Sequence, residues 1–168
     1  MLRSEKGFTL IELIVTVAII GIIMPAMAVT VTALLTNPQR ANDQSVALQQ
    51  VQNAGYWISH DVQMAKNVTR TDPGGFPLTL VIPVDTNESN DLSVVYSFDG
   101  NKLKRQVYDS LGTLTAEMMV AEYIDPAATT FSAPDPSIDN LYNLTVKASK
   151  GETVVERSYQ ISQRPSSG

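Results

Sequence analysis

An α+β fold, with one long helical stretch first and an antiparallel sheet after it, is expected from three features of this 168-residue chain. Apolar residues run almost without interruption from Phe8 to Leu35. Between Pro38 and Asn67 they recur at alternating spacings of three and four, the rhythm of one helix face. Beyond Pro77 the rhythm changes to every second residue, punctuated by Gly, Asn and Asp, which is the pattern of strands and tight turns. Elements segregated in this order point to a helix laid on a sheet rather than to alternating βαβ units.

The first helical stretch holds about 28 residues, more than the ~20 that span a bilayer. Gly21 and Pro25 lie inside it, and Pro25 removes a backbone donor, so a kink is expected there. A break is expected at Thr36-Asn37-Pro38. Asn37 precedes a proline, which disfavours helical backbone, and Pro38 suits the first position of a fresh helix. From 38 to 67 an amphipathic helix follows, its apolar seam formed by Ala41, Leu48, Val51, Gly55, Ile58, Val62 and Ala65. Gly55 costs that helix about 1 kcal/mol relative to Ala and so marks a close approach to whatever the seam covers. The seam is short for a coiled coil and lacks paired flanking charges, so a sheet is its expected partner.

The strands follow. Leu78 to Ile82 is an apolar run, and Leu92, Val94, Tyr96 and Phe98 alternate onto one face. Asp99-Gly100-Asn101 is a hairpin turn, after which Leu103, Arg105 and Val107 alternate on the return strand. Met118 to Ile124 is a further strand. Leu144 to Ala148 and Val154 to Ile161 form a second hairpin around Lys150-Gly151. Asp125-Pro126 and Ala133-Pro134-Asp135-Pro136 mark irregular loop between them.

Composition narrows the function. A net charge of -5 opposes binding to nucleic acid through its phosphates. The absence of cysteine removes disulfides and thiolate chemistry and leaves too few ligands for a zinc site.

The most informative stretch is Gly7-Phe8-Thr9-Leu10-Ile11-Glu12. Glu12 is the one ionisable side chain in the apolar run, and a carboxylate in hydrocarbon costs roughly 2.5–3.5 kcal/mol even on gentle scales. Such a group needs a cationic partner, and cutting the chain after Gly7 creates an ammonium on Phe8 one helical turn away. These six residues, with the short basic leader before them and the apolar run after, resemble the processing site of type IV prepilins and pseudopilins. The resemblance implies a pilin-like α+β fold, with a leader at 1–7, a hydrophobic membrane and filament-core helix at 8–35, and a head at 36–168 containing the helix at 38–67 and a sheet at 77–162. It implies cleavage between Gly7 and Phe8 by a membrane prepilin peptidase, N-methylation of Phe8, and a Glu12 that neutralises the amino terminus of a neighbouring subunit during assembly. Its implied partners are other pilin or pseudopilin subunits, the peptidase/methyltransferase, an inner-membrane assembly platform and, before assembly, the membrane itself.

Arg3 and Lys6 favour a cytoplasmic amino end and an extracytoplasmic head. A rival reading is an ordinary signal peptide cleaved after Ala28 in Ala26-Met27-Ala28, which releases a secreted or membrane-tethered binding module. Glu12 inside the apolar core, and apolar residues continuing from Val29 to Leu35, weigh against it.

No catalytic set emerges, so a structural subunit rather than an enzyme is expected. Ser59-His60-Asp61 has the residue types of a hydrolase triad, but consecutive helical positions project roughly 100° apart. Asp85, Asn87, Ser89 and Asp91, spaced two apart, form a weak calcium candidate that lacks the sixth-position Gly and twelfth-position Glu of an EF-hand loop. A polar connection between strands is the favoured reading of that stretch, and no cofactor is expected. The sequons at Asn67, Asn87 and Asn143 are read as chance.

Overall fold

The structure, a computed structural model, describes residues 9–71, 73–86, 90–133 and 140–164, the side chains of 34–37 excepted. Helix α1 runs Leu10–Met64 and contains both Pro25 and Pro38. The separate helix expected to begin at Pro38 is therefore not a distinct element. One proline removes a single bond, at about 3 kcal/mol, whereas a new helix needs a fresh and costly nucleus. Eight strands follow: β1 Asn67–Arg70, β2 Leu78–Ile82, β3 Leu92–Asp99, β4 Lys102–Tyr108, β5 Leu114–Ala121, β6 Thr130–Ser132, β7 Leu141–Lys150 and β8 Thr153–Ser162. The chain forms two compact units, Met1–Ala41 and Asn42–Gly168.

In the second unit the strands make two antiparallel sheets, not the single sheet expected over 77–162. One has the order β1-β2-β3-β4-β5 and the other β6-β7-β8. Both hairpins fall where the turn residues place them. Gly100 and Gly151 adopt the left-handed conformation, with Asp99 opposite Lys102 and Lys150 opposite Thr153. The strands missed from sequence are the short ones. β1 and β6 have four and three residues, too few to show a period, and only pairing with β2 and β7 defines them. β5 starts at Leu114 and ends at Ala121, earlier than the expected Met118 to Ile124. Tyr123 takes φ 60° and turns the chain out of the first sheet, and Ile124 then bridges to Ala148 in the second.

The helical residues of this unit bury the expected seam against both sheets. Val51, Gly55, Ile58, Val62 and Ala65 are buried, Leu48 is half-buried and Ala41 is exposed, while Ala47 and Ala54 join the core. Facing them are Leu78, Leu80, Val94, Tyr96, Leu103 and Val107 from the first sheet and Leu144, Val146, Ala148 and Ile161 from the second. Gly55 is the close approach anticipated. A Cβ there would lie 2.3 Å from the Tyr159 ring, whose hydroxyl donates to the Val51 carbonyl at 3.2 Å. Gly55→Ala should therefore destabilise the head by roughly 1–3 kcal/mol, the usual cost of overpacking, although Ala is the better helix former. A urea midpoint at or above that of the unaltered protein would refute the tight packing.

With no cysteine to fasten its end, the chain uses a buried amide. Gln163, just past β8, donates from Nε2 to the Ala65 carbonyl at 2.9 Å and accepts from the Tyr142 hydroxyl at 3.3 Å. It thereby satisfies one of the orphan carbonyls left beyond the end of α1.

Candidate assembly segment

The site begins at the amino end of α1. Thr9 precedes the first helical residue and Glu12 stands three positions later, the T-x-x-E spacing of a capping box. Both the backbone N–H and the hydroxyl of Thr9 donate to Glu12 Oε2 at 3.4 Å. These are long contacts, so the carboxylate is only loosely held and keeps capacity for a stronger partner. Sequence reasoning treats Glu12 as a charge alone, although the capping spacing is legible there. Gly7 and Phe8, the expected processing residues, lie outside the described residues.

From Leu10 to Val31 the helix surface is apolar and exposed. Leu10, Ile11, Ile22 and Val29 each leave 70% or more of their surface uncovered. The hydroxyls on this stretch are turned inward. Thr16 donates to the Glu12 carbonyl at 2.6 Å, Thr30 to Ala26 at 2.9 Å and Thr32 to Ala28 at 2.9 Å. Each thus satisfies its donor within its own helix, as a surface facing lipid or other apolar helices requires. The helix is long and apolar enough to cross a membrane by length and composition. Pro25 lies inside it and leaves the Gly21 carbonyl without its usual helical donor.

The head buries a polar cluster around Asp61. Asp61, only 2% exposed, accepts from the Tyr96 hydroxyl at 2.6 Å and from Arg105 Nε at 2.7 Å on one oxygen, and from Arg105 Nη2 at 3.3 Å on the other. The guanidinium lies 5.5 Å from the centre of the Trp57 ring, within cation–π range. His60 is exposed and sits with Nδ1 3.4 Å from Asp61 Oδ1. The arrangement of these residues is an ion pair tying helix to sheet, not a nucleophile with its base.

Burial, then the neighbouring Asp61 charge and hydrogen bond, push the Tyr96 phenol far above the ordinary tyrosine range. For Arg105, burial works against the charge, but the Asp61 hydrogen bond and charge prevail and the net shift is upward. A group bound more tightly to its proton in the folded state stabilises fully below its unfolded value, near pH 10 for tyrosine, and loses that contribution as pH rises further. Tyr96→Phe should accordingly flatten the loss of stability above pH ~10. Alkaline melting curves that superimpose for the two proteins would assign that loss elsewhere.

Of the calcium candidates, Asn87 and Ser89 lie outside the described residues. Asp85 accepts from Asn90 Nδ2 at 2.8 Å, and Asp91 is ion-paired with Lys66. Among the described residues no three His, Asp or Glu side chains converge as a metal site.

Residues 2–24 match the family described as the prokaryotic N-terminal methylation motif. Neither the curated proteins nor the solved structures contain a match to the chain. Its described part, from Thr9 onward, is the segment just described, with a carboxylate one turn into an exposed apolar stretch of helix. That motif supports a type IV prepilin-like protein.

Proposed function

We propose that this protein is a structural subunit of an extracytoplasmic filament: a minor pilin or pseudopilin of a type IV pilus, a type II secretion system or a competence filament. The observation that carries the reading is Glu12, the sole ionisable side chain of the apolar run from Phe8 to Leu35, placed within the matched methylation motif. Before assembly the helix holds the precursor in the cytoplasmic membrane with the head outside. Prepilin peptidase cuts between Gly7 and Phe8, and the new Phe8 amine is methylated. The subunit then exchanges lipid for the helices of its neighbours, and Glu12 pairs with the terminal ammonium of an adjoining subunit. Desolvation offsets much of the attraction in such a buried pair, so its contribution is register more than net stability. The strand-rich head without a disulfide favours a minor component, and Glu12, which needs a partner ahead of it, disfavours a place at the tip.

Mass spectrometry of the protein from its own cells tests this. The expected mature amino terminus is N-methylated Phe8. A terminus at Val29 would assign the chain instead to a secreted binding module, and retention of residues 1–7 beside an active peptidase would remove the filament reading.

A further inference from the structure

The two sheets have four outer edges, and three are protected against pairing. β1 has four residues and β6 three. β5 is longer, but its pairing with β4 shifts twice, so that Thr115 and Val120 bulge out of the ladder. Short strands and bulges are the usual devices that keep sheet edges from joining. β8 has neither. It runs for ten residues, every one paired with β7 in unbroken register, and it closes its sheet. Among the described residues none hydrogen-bonds to the side of the β8 backbone turned away from β7. A row of alternating donors and acceptors at strand spacing fits one kind of occupant, another extended polypeptide.

The charges of β8 identify which. Glu156 and Arg157 are its charged residues, and both are exposed. When two copies of one edge meet antiparallel, the two-fold axis sets the register, and residues placed opposite share a face. An axis through 156 or 157 sets like charges against each other, which is destabilising. An axis through Ser158 instead brings Val154–Ser162 of one copy against Ser162–Val154 of the other. Arg157 then faces Tyr159, a cation–aromatic pair, and Glu156 faces Gln160, a hydrogen-bonding pair. Registers centred farther along in either direction pair less of the strand.

We propose that β8 joins β8 of a second copy of this chain about a two-fold axis through Ser158, making the two three-stranded sheets one continuous sheet. Such a contact is closed and does not propagate, whereas a filament is built from open, head-to-tail contacts. The pair therefore belongs to the membrane-held protein and stands independently of the filament reading.

The absence of cysteine makes the test direct. Residues opposite across an antiparallel pair lie about 4.5 or 5.5 Å apart at Cα, inside the range a disulfide spans. Full-length Ser158→Cys, oxidised in native membranes, should shift in bulk from monomer to a disulfide-linked dimer, while Thr115→Cys on the bulged β5 edge stays monomeric. Glu156→Cys and Gln160→Cys chains made together should form a mixed disulfide, an independent check should Ser158→Cys fold poorly. Dimerisation no greater for Ser158→Cys than for Thr115→Cys, together with no mixed disulfide, would overturn the proposal. So would a β8 cross-link to a different protein in place of a second copy.

Discussion

Asp61→Ala should destabilise the head by about 3–5 kcal/mol, the scale seen when one partner of a buried ion pair is removed. Domains of this size have only about 5–15 kcal/mol in total, so the variant is expected to lie near the edge of folding. The cost has two sources. Arg105 loses the carboxylate that holds two of its nitrogens, at 2.7 and 3.3 Å, and its guanidinium is left part-buried above Trp57 with no counter-charge. The buried Tyr96 hydroxyl loses its acceptor at 2.6 Å. The Tyr96 hydroxyl cannot simply turn to water, because Tyr96 is fully buried in the core.

The double variant Asp61→Leu with Arg105→Met separates this account from simple loss of packing. If the damage is an uncompensated charge, removing both charges should recover most of the stability, because apolar replacement of a whole buried pair is often neutral or favourable. Residues in contact should also show strong coupling in such a cycle. Urea unfolding of the 42–168 segment measures both. Single variants whose losses merely add would show that Asp61 and Arg105 do not act as a pair.

The same pair shows how far the sequence can be read. The seam of α1 is legible because apolar residues at helical spacing give a helix one face that must be covered, and five of its seven positions are buried as expected. The two longest hairpins are legible because Gly100 and Gly151 mark their turns. In the sequence Asp61 draws notice only within a hydrolase triad that cannot form, yet its position carries a signal. It stands three residues after Ile58 on the buried face, and Arg105 stands between Leu103 and Val107 on the buried face of β4. Two opposite charges, each in a core-facing register, are a pair waiting to be matched. Matching them requires knowing that α1 lies over β3 and β4, and no local pattern supplies that. β1, β6 and the division into two sheets are hidden for a related reason. Three- and four-residue strands have no period of their own, and the turn at Tyr123 uses a residue that gives no hint of left-handed backbone.

At the amino end the decisive variants are Glu12→Ala and Glu12→Gln. Both are expected to be cleaved and methylated normally, since the proposed cut lies before Phe8, and both should fail to enter filaments. Two roles for Glu12 are in view: the structure shows its carboxylate as a loose acceptor for Thr9 at 3.4 Å, and the proposed function requires it as a charge. Glutamine separates them. It keeps an oxygen that can accept from the Thr9 N–H, so a helix cap survives the change, worth about 1 kcal/mol at most in typical cases. It cannot cancel an ammonium in an apolar bundle, and a charge left without its partner there costs several kcal/mol. Each 1.4 kcal/mol is a factor of ten in equilibrium, so loss of the charge should cut incorporation by at least a hundredfold, against roughly tenfold or less for loss of a cap. The readout is the ratio of each variant to the unaltered subunit in sheared or secreted filaments, normalised to mature protein in the membrane. Incorporation of Glu12→Gln at the unaltered level, with Glu12→Ala reduced, would reduce Glu12 to a cap and leave the axial register to the apolar contacts alone.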